Sequence, residues 1–222
     1  MNESVVQDRS ADSCRVTLFH VVTVDGDYVD EYGSSRGVSN AADLGLLLRA
    51  RSDNDVAITG GNTARLEKLK STARCSLCLV SNSMTSLSLP LLEPSDGQFV
   101  LLASSNPELL EAAVGQAGVE CIELHYGLPL AKQLVESLRT RGLHRILLEG
   151  GPQLILAFNL DALIDEVHLT VTGSDSEMSL EEARGLVSGI SYLPKPNNSL
   201  TINFDGVNNY LVWLPSGVAA YN

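Results

Sequence analysis

Two stretches of this sequence put paired glycines next to groups that can hold an anion. In the first, Ile146, Leu147 and Leu148 lead into Glu149, Gly150, Gly151, Pro152, Gln153 and Leu154. The second runs Gly60, Gly61, Asn62, Thr63. In each, a short apolar run turns into helical spacing at the glycines, so each reads as a buried strand that opens directly into a helix. Glycine lets a backbone approach a ligand with no Cβ in the way, and Pro152 suits a first helical turn, where its missing N–H costs little. The free N–H groups of such a turn attract an anion, and Thr63 adds a hydroxyl. Glu149 then stands at the carboxyl end of its strand, beside that anion. Neither stretch matches G-x-G-x-x-G or the P-loop, so the pair of turns carries the inference.

Other residue types add to this chemistry. Asp25-Gly26 ends an apolar strand, where an acid serves either chemistry or a turn. Arg65, Lys68, Lys70 and Arg74 place four of the chain's 15 basic residues close together on an acidic protein. That excess suits either a phosphate or a solvated helix face. Cys75 and Cys78 have C-x-x-C spacing, but no second Cys/His pair matches it and CSLCLV reads as a strand, which makes them buried thiols. His20, inside the first strand, reads as a core histidine.

The elements that position these groups alternate. Strands are expected at residues 15–24, 55–59, 76–81, 98–103, 119–124, 144–149 and 165–173. Helices are expected from an N-cap at Ser39 to about Arg51 with Leu44, Leu47 and Leu48 on one face, then after Thr63, from Asn106-Pro107 to Gln116, over 129–140, and after Pro152. Residues 173–196 read as a long connection with one helical turn, and 200–214 as a hairpin through Asp205-Gly206. This is an α/β fold with a mixed, mostly parallel sheet flanked by helices and an antiparallel end. Ligands on such sheets bind at the carboxyl ends of the strands, where both glycine turns and Asp25 are expected.

Composition sets outer bounds. At 222 residues the chain is long enough for one large domain, expected over 14–222 after a loose tail at 1–13. With 44% hydrophobic and 19% charged residues it is too apolar for disorder. No apolar run reaches the roughly 18 residues of a membrane span, and the N-terminus is polar, so a cytoplasmic protein is expected. A net charge of -12 argues against nucleic acid and anionic membranes and leaves small molecules as partners.

In this order and spacing, TVDG, an Arg ahead of DVAITGGNT, LLEGGPQL and LIDEVHL resemble the pyrimidine reductase domain of riboflavin biosynthesis, which has the dihydrofolate-reductase-like fold. The resemblance spans residues 14–214. It implies an oxidoreductase that passes hydride from NADPH to a phosphorylated ribosylaminopyrimidine, reducing ribosyl to ribityl, and a homodimer. Carried over by position, Gly60, Gly61, Thr63, Gly150, Gly151, Pro152, Gln153 and Leu154 hold the cofactor, with Gly37 and Glu67 at its edges. Ser35, Arg51, Arg74 and Glu149 face the substrate, and Asp25 and Glu149 are the candidate catalytic acids. The forked arginines suit a phosphate. Two departures mark this chain: Gly37 stands where the family often has a large residue, and Thr172-Gly173-Ser174 replaces its usual Ala-Pro and Gly. No H-x-E with P-C-x-x-C occurs, so zinc-dependent deamination is not expected. A pterin or dihydrofolate reductase and an inactive nucleotide-binding homologue are the alternative readings.

Overall fold

The structure is a computed structural model that describes residues 13–67, 69, 75–89, 92 and 99–216. The chain enters through β1 (Arg15–Thr23), then α1 (Ala41–Asp53), β2 (Val56–Gly60) and α2 (Gly61–Glu67). It continues through β3 (Ser76–Val80), β4 (Val100–Ser104), α3 (Pro107–Ala113), β5 (Val119–Glu123) and α4 (Leu130–Arg139). The last part holds β6 (Arg145–Leu148), α5 (Pro152–Leu160), β7 (Glu166–Thr172), α6 (Leu180–Gly189), β8 (Thr201–Phe204) and β9 (Asn208–Trp213).

The described strands form one sheet in the order β5-β4-β3-β2-β6-β1-β7-β9-β8. Every pairing from β5 to β7 is parallel, while β9 runs antiparallel to both β7 and β8. This is the predicted architecture. Parallel strands need helical crossovers, and these bury both faces of the sheet. One face packs Val16, Leu18, Ile58 and Ile146 against Leu134, Phe158 and Val187 of α4, α5 and α6. The other packs Phe19, Ala57, Leu77 and Leu147 against Ala64 and Leu109 of α2 and α3. Cys75 and Cys78 fall on opposite faces, in different cores, so their C-x-x-C spacing joins nothing. Burial pushes both thiols up to about 12, which suits inert packing groups.

Three local expectations are corrected. The cap of α1 is Asn40, whose side chain accepts from Ala42 N and Asp43 N, while the Ser39 hydroxyl instead donates to Asp43 Oδ2 at 2.5 Å. The inward stripe of α1 is Asp43, Leu46, Leu47, Ala50 and Arg51, which leaves Leu44 and Leu48 half exposed. Arg51 lies on this inward side, where its guanidinium reaches the carboxylate of Glu149, just after β6. The 173–196 connection holds a full ten-residue helix, α6, started by a capping box between Ser179 and Glu182. That box is readable as Ser-x-x-Glu, followed by the inward Ala183 and Val187.

One length mismatch shapes the sheet's ligand edge. β1 pairs with β6 only as far as Leu18 with Leu148, yet it continues alongside β7 to Thr23. Beyond Leu18, therefore, the β6 side of β1 borders an opening rather than a strand. Asp55, at the start of β2, holds the other end shut by accepting from His144 N at 3.0 Å and Arg145 N at 2.8 Å.

Candidate functional site

That opening is the floor of a cleft of about 1550 Å³. Its walls come from β1, α1, the two glycine turns, the start of α2 and the loop after β3. A single drug-sized ligand fills roughly 300–1,000 Å³, so this space suits a dinucleotide with a second molecule beside it. Among the described residues no cluster of His, Cys, Asp or Glu could hold a metal, and no helix is long and apolar enough to cross a membrane.

Most of the residues singled out from sequence line this one cleft: Ser35, Arg51, Gly60, Gly61, Thr63, Glu67 and the whole run from Glu149 to Leu154. The two strand-glycine-helix turns are neighbours, since β2 and β6 pair directly and Glu149 N donates to Ile58 O at 3.0 Å. A Cβ built on Gly151 would lie 3.8 Å from Thr63 Oγ1. Gly151 is the N-cap of α5 and offers no side-chain cap; Pro152 has no N–H and Leu154 N donates to Gly151 O at 3.0 Å, which leaves the Gln153 N–H of the first turn to a ligand.

The glycines serve different purposes, and this corrects their common reading as ligand-approach positions. At Gly150 a Cβ would lie 2.5 Å from Leu154 Cδ2, and at Gly61 2.7 Å from Ser81 Oγ. These two are glycine because the protein packs against them. Gly60 has nothing within 4 Å of a Cβ, and Gly151 only the ordinary 3.8 Å contact with Thr63, so these are the two whose missing side chains open the cleft.

Glu149 and Arg51 meet across the cleft floor. Arg51 Nε donates to Glu149 Oε1 at 2.7 Å and Nη2 to Oε2 at 2.5 Å, with side chains only 10% and 7% exposed. Burial pulls the Arg51 guanidinium down, but the hydrogen bond and charge of Glu149 outweigh it and leave it above its ordinary value. The Arg51 fork expected for a substrate phosphate is therefore occupied within the protein. Glu67 is likewise engaged, accepting from Ser35 N at 3.0 Å and Ser35 Oγ at 2.8 Å. It pins the turn at 35–37 to the end of α2.

Two calls fall elsewhere. Asp25 is exposed in a turn, with Gly26 at φ +87°, and lines a separate cavity with Glu177, Glu182 and Tyr192. Five more residues of pairing with β7 carry β1 past the cleft before that turn, so Asp25 reaches α6 instead of the glycine turns. Gly37 does not line the cleft, and a Cβ there would lie 2.3 Å from Asp30 Oδ2. Arg74 lies outside the described residues, as do Lys68 and Lys70.

The cleft also contains groups the sequence reading passed over. Arg65, read there only as part of the basic run, lines the wall with Nη2 bonded to the neutral Asn62 Oδ1 at 3.2 Å, so its charge is not cancelled by that contact. Asn82, Ser83, Thr85 and Ser86 form a hydroxyl-rich rim. The signal for them was positional, because SNSMTS follows β3 at its carboxyl end. Asp43 is 3% exposed, and its Oδ1 has no partner among the described residues.

His20 is only partly the core histidine expected, because it also lines the cleft. Burial lowers it from 6.5 to about 4. The unfolded chain thus binds a proton between these values that the folded chain refuses. His20's contribution is intact above about 6.5 and is lost as pH falls toward about 4. In denaturant titrations across this range, His20→Leu is expected to lose less stability than the unaltered protein; equal losses would contradict it.

The RibD C-terminal domain family matches residues 115–173, which run from just after α3 to just after β7 and include the Glu149 turn. No curated protein matches the chain by sequence. Solved structures do match by shape. A pyrimidine reductase-like protein from Corynebacterium diphtheriae has a TM-score of 0.68 at 20% identity, over 91% of this chain and 92% of that one. The riboflavin biosynthesis reductase of Saccharomyces cerevisiae scores 0.67 at 12% identity, over 95% and 93%. The deaminase/reductase of diaminohydroxyphosphoribosylaminopyrimidine from Thermotoga maritima scores 0.68 at 18% identity, and the match spans 92% of this chain but 57% of that protein. The fold is that of these reductases, and the family named from sequence is the one whose domain matches.

Proposed function

We propose that this chain is an NADPH-dependent reductase, acting as a cytoplasmic homodimer on a phosphorylated ribosylaminopyrimidine or a close analogue. One observation carries the reading: both glycine turns, Thr63, the uncapped start of α5 and the Arg51–Glu149 pair open onto a single cleft. The resemblance and the shared fold supply the reaction class.

The residues present fit such a cofactor. Gly60 leaves open space, the N–H groups at the start of α5 lack a side-chain cap, and Arg65 adds positive charge to an acidic protein. Thr63, Gly151 and Gln153 would hold the pyrophosphate through a hydroxyl and backbone N–H groups. When bound, the cofactor supplies hydride, and the protein's part is to bind, orient and exclude water. Glu149 and Arg51 give the floor a fixed, paired dipole beside the reacting end, which needs no rearrangement as charge shifts there.

NADPH oxidation assayed against the deaminated and non-deaminated pyrimidine phosphates and dihydrofolate tests this directly. Turnover with one pyrimidine phosphate is the expected result. A protein whose thermal unfolding is unmoved by NADPH would overturn it. A second reading, reduction of an unphosphorylated pterin, draws on the Arg51 fork being occupied by Glu149, and turnover of dihydrofolate alone would select it.

A further inference from the structure

Next to the unpaired edge of β1, His20 makes a contact that the phosphate-binding machinery does not use. Its Nε2 lies 3.0 Å from the hydroxyl of Tyr192, which follows α6, and the two rings meet edge to face at 5.6 Å and 85°. Tyr28 packs against both rings, at 6.2 Å and 5.9 Å. No described residue makes a hydrogen bond to His20 Nδ1, although the residue lines the cleft with Phe19 and Glu149.

The hydroxyl of Tyr192 must place its proton somewhere. Burial, then the nearby Tyr28, push its ionisation above the ordinary phenol range, so it remains an O–H. Imidazole nitrogen accepts better than phenol oxygen, so Tyr192 donates to Nε2. The imidazole proton then resides on Nδ1. His20 also stays uncharged near pH 7, because burial holds it at about 4. A neutral N–H beside Tyr28 offers no net charge to a phosphate but suits a flat ring that bears a carbonyl.

We infer that His20, held by Tyr192 with its proton on Nδ1, donates a hydrogen bond to a carbonyl oxygen on the heterocycle bound in the cleft. This rests on the reductase reading, which offers two such rings: the pyrimidine of the substrate and the nicotinamide of the cofactor. His20 touches ligand, and Tyr192 is a positioning residue that sets the tautomer.

The experiment compares unaltered protein with His20→Leu, His20→Gln and Tyr192→Phe. It measures affinity for NADPH and for adenosine 2′,5′-bisphosphate, KM and kcat with the pyrimidine phosphate, and the histidine tautomer by nitrogen NMR. His20→Leu is expected to weaken one ring-bearing ligand about tenfold, the scale of one buried hydrogen bond left unmade. His20→Gln, which keeps an N–H donor, recovers part of that loss, whereas a role in packing alone would favour leucine. Loss of NADPH affinity with adenosine 2′,5′-bisphosphate unchanged assigns the carbonyl to nicotinamide. A raised KM with NADPH affinity intact assigns it to the pyrimidine. In the unaltered protein NMR should find the proton on Nδ1, and Tyr192→Phe should shift it toward Nε2. A proton on Nε2 in the unaltered protein, or ligand affinities unmoved by His20→Leu, overturns the inference alone. If the unaltered protein binds neither NADPH nor the pyrimidine phosphate, the reductase reading falls and this inference falls with it.

Discussion

Arg51→Ala protein is expected to lose about 3–5 kcal/mol of folding stability, the usual cost of leaving one member of a buried ion pair alone. Arg51 and Glu149 are 10% and 7% exposed, so solvent does little to screen the carboxylate left behind. The loss reports an uncompensated charge, not the intrinsic worth of the pair. Replacing both partners with apolar residues of similar size, as in Arg51→Met with Glu149→Leu, is therefore expected to restore most of the stability. On the proposed reading, reductase activity is expected to be absent from the double variant, because the cleft floor has lost its polar groups. Urea midpoints and NADPH turnover, measured on the two single variants and the double, separate these effects. A double variant as unstable as Arg51→Ala would show that shape, not charge pairing, holds α1 to β6.

The second large effect separates glycines that look equivalent in sequence. Gly150→Ala is expected to cost about 1–3 kcal/mol, as overpacking does. Its Cβ would sit 2.5 Å from Leu154 Cδ2 and 2.8 Å from Leu154 Cβ, and the nearer part of that side chain cannot swing away. The start of α5 must move, so on the proposed reading NADPH affinity is expected to fall together with stability. Gly60→Ala meets no atom within 4 Å, and its backbone is not in the left-handed region. That variant is expected to keep its stability or gain ~0.4–1 kcal/mol from a stiffer unfolded chain. Its affinity for NADPH should nonetheless fall about tenfold, a change of ~1.4 kcal/mol, because the methyl group enters the cleft. Thermal unfolding with and without NADPH reads both quantities. Full NADPH affinity in Gly60→Ala would remove that turn from the cofactor site.

These contrasts show where sequence reasoning reached and where it stopped. Alternating strand and helix signals, with caps such as Asn106-Pro107, follow from local rules of periodicity and termination, so the order of elements was legible. The capping box that starts α6 was equally local and was passed over, because it sits inside a polar connection. The orientation of α1 was not legible: its apolar residues fit more than one face, and the distant carboxylate of Glu149, just after β6, decides between them.

The site divides in the same way. By itself, the sequence determined that two strand-glycine-helix turns would lie at the carboxyl edge of a mostly parallel sheet, with Glu149 and Thr63 among them. Strand polarity and connection rules suffice for that. Only the tertiary structure decided that Arg51 spends its fork on Glu149 and that Gly60, unlike Gly150 and Gly61, is an open position. It also carried Asp25 past the cleft and brought His20 to it. Each of these depends on where one strand ends beside another: β6 stops at Leu148 while β1 runs on to Thr23, a difference in pairing between segments more than a hundred residues apart in the chain.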